Sequence, residues 1–267
     1  MIIIGERING MFKDVRAAIQ SKDPEPIKDL ATRQVAAGAH YLDVNVGPAA
    51  DDPIEAMKWL VEVIREVEPD IPLCIDTTKP DVMRAGIEAA GGEGKAMINS
   101  TTGERAKLDT FLPLAAEFNI PIVALTIDEN GVPRDANGRA QVALNILAAA
   151  MEYGVPPEHL FIDAVILPVS AQQENPGHVL ETIRQVKLLS DPPPKTIIGL
   201  SNVSQNTIYR SLINRTYLVM AIAAGLDAAI LDCLDDELMD ALITAELLLN
   251  REVYCDDFLK AYRKRSA

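Results

Sequence analysis

Several short apolar runs end in an acid or an amide: Glu6, Asp43 with Asn45, Asp76, Asn99, Asp163, Asn202 and Asp232. A single Asp in such a place serves equally well as a turn or helix-cap residue. Its recurrence along the chain points instead to one shared polar surface. Other side chains are missing from these positions. Lys95 and Lys195 stand at the beginnings of their runs, so no lysine is placed for Schiff-base chemistry. His40, His159 and His178 have no metal-ligand spacing, His178 reads as a surface residue at a helix start, and no catalytic metal is expected. Neither GxGxxG nor GxxxxGK occurs, so no nucleotide phosphate loop is expected.

Carboxylates and amides without metal or lysine suit a ligand with a flat edge of N–H donors and carbonyl acceptors. A carboxylate accepts two hydrogen bonds from an amino-pyrimidinone edge, and Asn donates and accepts in one plane. Pterins present such an edge, and so does guanine.

The elements that must position these residues read as repeated βα units. Runs rich in aliphatic and β-branched residues recur as MIII, YLDVNV, PLCIDT, KAMINS, IPIVALTI, LFIDAVIL, KTIIGLS and AAILDC. Helical spacing appears in Pro26 to Ala37, Ile54 to Val67, Pro80 to Ala90, Ala140 to Tyr153 and His178 to Leu189. Leu234 to about Leu249 reads as the eighth helix, and Tyr254 to Lys264 as a short additional one. Asp23 with Pro24, Asp51 with Pro53, and Lys79 with Pro80 signal helix starts, while Gly38 and Gly154 signal helix ends. Periodicity alone does not separate a closed (β/α)8 barrel from an open doubly wound sheet. The strand count and the length of 267 residues favour one closed barrel domain over 1–267. In a barrel all parallel strands deliver their C-terminal ends to one mouth, where the acids and amides would converge.

Hydrophobic residues make up 48% of the chain and aromatics 4%, which suits a core of Val, Ile, Leu and Ala. The net charge of −14 argues against nucleic acid and anionic membrane surfaces as partners. Cys74, Cys233 and Cys255 form no CxxC or Cys/His grouping, so a reduced cytoplasmic setting is expected. The start MIIIGERING has no signal-peptide pattern and no segment has the length of a membrane span, so an unprocessed chain is expected.

The segment PLCIDTTKPDVMRAGIEAAGGEGKAMINST, residues 72 to 101, resembles the pterin-binding barrel family, whose signature is a strand-end Asp followed about a helix later by a strand-end Asn. YLDVNVGP resembles the acidic strand end that precedes it. MIIIGERINGMF, FIDAVILPV, GLSNVSQN and LINRTYLVMAIAAGLDAAILD make the chain most similar, within that family, to methyltetrahydrofolate:corrinoid protein methyltransferases. The resemblance implies that Asp76, Asn99 and Asp163 hold a pterin ring, with Asp43 in the polar network beside them. It implies Asn202 at N5, the methyl-bearing nitrogen, and Gly199 and Ser201 on the floor near the ring. Gln205 and Arg210 would reach the rest of the folate. It further implies a homodimer and a corrinoid brought by a partner protein. No Asp-x-His-x-x-Gly cobalt-binding motif occurs in this chain. The loops LTIDENG and VSAQQENPGH depart from the family pattern and would select the partner.

The implied reaction moves the N5-methyl group of methyltetrahydrofolate to the cobalt of a corrinoid protein, or back. N5 must gain positive character for the methyl to leave. An amide is not acidic enough to supply the proton, so Asn202 is expected to orient N5 and stabilise the transition state, with solvent as proton source. A dihydropteroate synthase and a noncatalytic folate-binding protein are the competing readings. Dihydropteroate synthases usually carry basic residues after the Ser of the seventh strand, where this chain has Asn202 and Val203.

Overall fold

A computed structural model describes residues 1–48 and 50–251. Eight parallel strands run in sequence order: β1 Ile2–Asn9, β2 Tyr41–Asn45, β3 Leu73–Asp76, β4 Ala96–Thr102, β5 Ile122–Leu125, β6 Leu160–Asp163, β7 Lys195–Gly199 and β8 Ala228–Leu231. β8 pairs back onto β1 through Ile2↔Ala228 to Gly5↔Leu231, so the sheet closes into a barrel. An open doubly wound sheet would leave two edges, and the β1–β8 ladder removes that alternative.

Around the strands lie α1 Lys13–Ser21, α2 Glu25–Ala36, α3 Pro53–Val67, α4 Pro80–Ala90, α5 Arg105–Phe118, α6 Ala136–Glu152, α7 Asn175–Val186, α8 Arg210–Ala224 and α9 Asp236–Leu248. Local chemistry sets several boundaries. The Asp52 carboxylate, rather than Asp51, caps α3 by accepting from the amides of Ile54 and Glu55, with Pro53 in the first turn. Gly38 and Gly154 both take positive φ after their helices. α1 is short, with nine residues, although Val15, Ala18 and Ile19 keep helical spacing toward the core; α5 contains Pro113, and α8 keeps Leu212, Val219 and Met220 exposed, which blurs its apolar face. Tyr254 to Lys264 and Cys255 lie outside the described residues.

The strands are apolar on both faces because each face is buried. Outward residues such as Leu42, Ile75, Ile98, Ile162 and Ile198 pack against Leu60, Ile87, Phe111, Ile146 and Ile183 of the helices. Inward, Ile4, Cys74, Met97, Val123, Phe161, Ile197 and Ala228 form a separate buried plug, with Tyr41 against it. Since strand side chains repeat every two residues, the next inward layer is Glu6, Asp43, Asp76, Asn99, Leu125, Asp163, Gly199 and Ile230. Every one of these lines the cavity at the strands' C-terminal ends. An apolar layer thus floors a mostly polar one, supplied strand by strand.

Among the described residues no helix is long and apolar enough to cross a membrane.

Candidate active site

The mouth holds a cavity of about 550 Å³. Asp43 and Asn99, both buried, pair within it, with Asn99 Nδ2 donating to Asp43 Oδ1 at 3.0 Å. Asn45 Nδ2 donates to Asp76 Oδ2 at 2.6 Å, while Asn45 Oδ1 accepts from the amide of Gly47 at 2.6 Å. The turn after β2 therefore fixes which end of the Asn45 amide faces Asp76. That turn and the loop after β1 each need a glycine. A Cβ on Gly10 would lie 2.1 Å from the Val46 carbonyl oxygen, and Gly47 has φ 70 with its own Cβ position 2.7 Å from the Gly10 carbonyl carbon. The loops after β1 and β2 consequently pack backbone on backbone, which sets the spacing of Asn9 and Asn45 at the mouth.

On β6, Asp163 Oδ1 accepts from the Val165 amide at 2.7 Å. The buried Arg139 donates to the Ala164 carbonyl at 2.9 Å and to the Pro133 carbonyl at 3.0 Å, pinning this strand end to the loop before α6. After β7, a short 3-10 turn, Leu200–Asn202, carries Ser201 and Asn202 to the wall. Ser201 donates its hydroxyl to Glu6 Oε1 at 2.7 Å. Arg210 in the first turn of α8 donates to the Ser201 carbonyl and to the Ser204 hydroxyl, each at 3.2 Å. Asn202 is exposed, and no described residue hydrogen-bonds its side-chain amide.

Burial pushes the cavity carboxyls upward. Glu6 rises to about 7, chiefly by desolvation and further by the Asp232 charge, against the Ser201 hydrogen bond. Asp163 rises to about 6 by burial, opposed by the Val165 amide and Arg139. Desolvation first and the neighbouring Asp76 second hold Asp43 well above the usual range. Asp76 is raised by burial against the Asn45 hydrogen bond. Glu6 and Asp163, at about 7 and about 6, exchange between acceptor and donor forms near neutral pH, a property concentrated at functional sites.

The structure gathers Asp43, Asp76, Asn99, Asp163, Gly199, Ser201, Asn202 and Arg210 around this one cavity. Gln205 is not among its lining residues. It is exposed on the loop before α8, where its carbonyl accepts the Ser170 hydroxyl at 3.0 Å. Asn9, Phe12, Ser211, Asn214 and Asp235 also line the cavity, although sequence reasoning gave them no place there. Asn9 and Phe12 belong to the GERINGMF segment, which was the available signal. Lys95 binds Asp70 at 2.7 Å away from the mouth, and His40 Nδ1 accepts the Ile3 amide at the start of β1. Among the described residues no group of three or more His, Cys, Asp or Glu is arranged to hold a metal ion.

Residues 8–232 match the family described as pterin binding enzyme, and the chain belongs to that family. Within it, the chain is 31% identical over 269 residues to the methylcorrinoid:tetrahydrofolate methyltransferase of Eubacterium limosum, covering 99% of this chain and 97% of that protein. It is 31% identical over 242 residues to the methionine synthase of Mycobacterium tuberculosis, covering 86% of this chain and 20% of that longer protein. Among solved structures, Yersinia pestis DHPS with a pterine-sulfa conjugate superposes with a TM-score of 0.66 at 16% identity, covering 94% of each chain. Dihydropteroate synthase from Thermus thermophilus in complex with 6HMPPP gives 0.63 at 17% identity, covering 92% of this chain and 94% of that one. At such identities these two structures share the fold.

Proposed function

We propose that this chain is a methyltransferase that moves the N5-methyl group between methyltetrahydrofolate and the cobalt of a corrinoid protein. The observation that carries the reading is the likeness to the Eubacterium limosum methyltransferase over nearly the full length of both chains. The cavity is consistent with it, because acids and amides line a mouth able to accept a flat pterin edge.

In this reading Asp76, Asn99 and Asp163 take the donor and acceptor edge of the pterin, and Asp43 orients Asn99 by accepting from its side-chain nitrogen. Asn202, unheld by neighbouring side chains, turns its amide to N5 and stabilises positive charge as it develops there. Gly199 leaves room for that amide, Ser201 fixes the wall, and Arg210 faces the remainder of the folate. Gln205 would need a loop movement to join them. The corrinoid supplies the cobalt that accepts or donates the methyl group, and arrives on a partner protein chosen in part by the loops at 125–131 and 169–178. One barrel domain over the whole chain, a homodimer and a cytoplasmic setting complete the proposal.

The test is a comparison of reactant pairs. Consumption of methyltetrahydrofolate with a reduced corrinoid, and no reaction of pterin diphosphate with p-aminobenzoate, supports the reading. Release of pyrophosphate from the second pair overturns it in favour of dihydropteroate synthesis.

A further inference from the structure

Glu6 stands in the inward layer of β1 directly above the plug residue Ile4, and lines the same cavity as Asn202. Its carboxylate accepts the hydroxyl of Ser201, the residue immediately before Asn202. Among the described residues no Lys or Arg reaches Glu6 within ion-pair distance. The charged and titratable groups that act on it are Asp232 and Cys233 after β8, Asp43 on β2, Arg210 on α8 and, next along its own strand, Arg7, whose guanidinium is held by Asp14. The acids and burial oppose its ionisation, while the Ser201 hydroxyl and the two guanidinium groups favour it. A hydroxyl both donates and accepts, so Ser201 can hold either protonation state of this carboxyl in one place.

Resting on the methyl-transfer reading, we infer that Glu6 is the proton-holding residue of the cavity, giving a proton to N5 as the methyl group leaves and recovering it when the reaction runs backward. The balance is complete without a further reactant. The reduced cobalt of the partner supplies the electron pair for the new bond to the methyl carbon. The pair of the broken N5–methyl bond returns to N5, and the Glu6 carboxyl proton neutralises it. The resulting carboxylate regains a proton from solvent before the next turnover. A balance point at about 7 leaves both forms populated at neutral pH, as a general acid that also serves as base requires.

Glu6→Gln retains the side-chain length and an acceptor for Ser201 but holds no titrating proton. Two measurements test the assignment. The first needs no corrinoid: in protein carrying carboxyl-labelled glutamate, one resonance titrates with a midpoint near 7 and is missing from Glu6→Gln. The second is the pH profile of single-turnover methyl transfer to a reduced corrinoid. The wild-type rate is fully present below the midpoint and falls as pH rises through it. Glu6→Gln loses roughly 100-fold or more on the acid side and lacks that fall. Glu6→Asp, which keeps a carboxyl, restores a pH-dependent rate, and methyltetrahydrofolate binding by each variant verifies that the site is intact. A resonance that does not titrate near neutrality overturns the inference. So does a Glu6→Gln profile with the wild-type shape, at any absolute rate, since that is the behaviour of a residue with a structural role alone. Failure of the wild-type protein to transfer any methyl group overturns the methyl-transfer reading itself.

Discussion

Asn202 lies over Gly199: its Nδ2 is 3.1 Å from the point that a Cβ on Gly199 would occupy. A side chain there would meet a limit of space rather than of backbone conformation, because the Gly199 φ is −82, and a Cβ would oblige the Asn202 amide to shift by a few tenths of an ångström. The amide proposed to face N5 therefore has an open floor beneath it. Asn202→Ala is expected to leave methyltetrahydrofolate affinity largely intact and to slow methyl transfer. One charge-assisted hydrogen bond, about 1.5 to 3 kcal/mol, corresponds to roughly a 10- to 150-fold loss of rate. Gly199→Ala should shift the amide and give a smaller loss in the same step. Equilibrium binding and single-turnover rates, measured separately for each variant, check both expectations.

Asp76→Ala and Asp163→Ala are expected to weaken methyltetrahydrofolate binding by about 1 to 3 kcal/mol each, since each leaves pterin donors buried without partners. Calorimetric titration measures this directly. Unchanged affinity in either variant removes that residue from the binding edge. Asp76→Ala also frees the Asn45 side-chain nitrogen from its only described side-chain acceptor.

The inward layer explains how much of this site could be read from sequence. Asp76 and Asp163 end β3 and β6, and Asn99 closes the apolar run of β4, which continues to Thr102; the preceding inward residues, Cys74, Met97 and Phe161, are apolar, so the end of each apolar run marked these three. β1 was harder. Glu6 already reads as a run-end acid, but the strand continues to Asn9 with a register shift between Gly5 and Ile8, and the Glu6 bond to Ser201, between the first strand and the turn after the seventh, came only with the barrel closed. Closure itself depends on the β1–β8 ladder, a pairing between the two ends of the sheet that no local pattern encodes. Gln205 shows the limit of transfer by motif, since a loop residue's position depends on contacts such as that with Ser170 rather than on a strand's period.

Stability should depend on pH through Glu6 in a defined direction. Its folded value, about 7, stands above the ordinary 4.5, so the folded protein binds this proton more tightly than the unfolded chain. The associated stability is fully present below 4.5 and is lost as pH rises through 7. Glu6→Gln removes this dependence and is expected to unfold later than wild type at pH 8, by about 2 kcal/mol. Denaturant midpoints for both proteins at pH 5 and pH 8 check it. Their difference isolates Glu6 from carboxyls whose values fall on folding, such as Glu246 beside Arg251.

Gly10→Ala is expected to destabilise the fold by about 1 to 3 kcal/mol, because the new methyl would overlap the Val46 carbonyl oxygen and force two backbones apart. Thermal unfolding measures the loss. The same displacement moves Asn45, so affinity for methyltetrahydrofolate should fall with it.

The most direct measurement of the central claim is a single turnover of the wild-type protein with methyltetrahydrofolate and a Co(I) corrinoid, followed by absorbance. The Co(I) spectrum is expected to give way to that of methyl-Co(III) while an equal amount of tetrahydrofolate forms, and the reverse mixture is expected to return methyltetrahydrofolate. Tight binding of methyltetrahydrofolate with no methyl transfer in either direction, to free cobalamin or to corrinoid proteins, would contradict it and leave a folate-binding protein without catalysis.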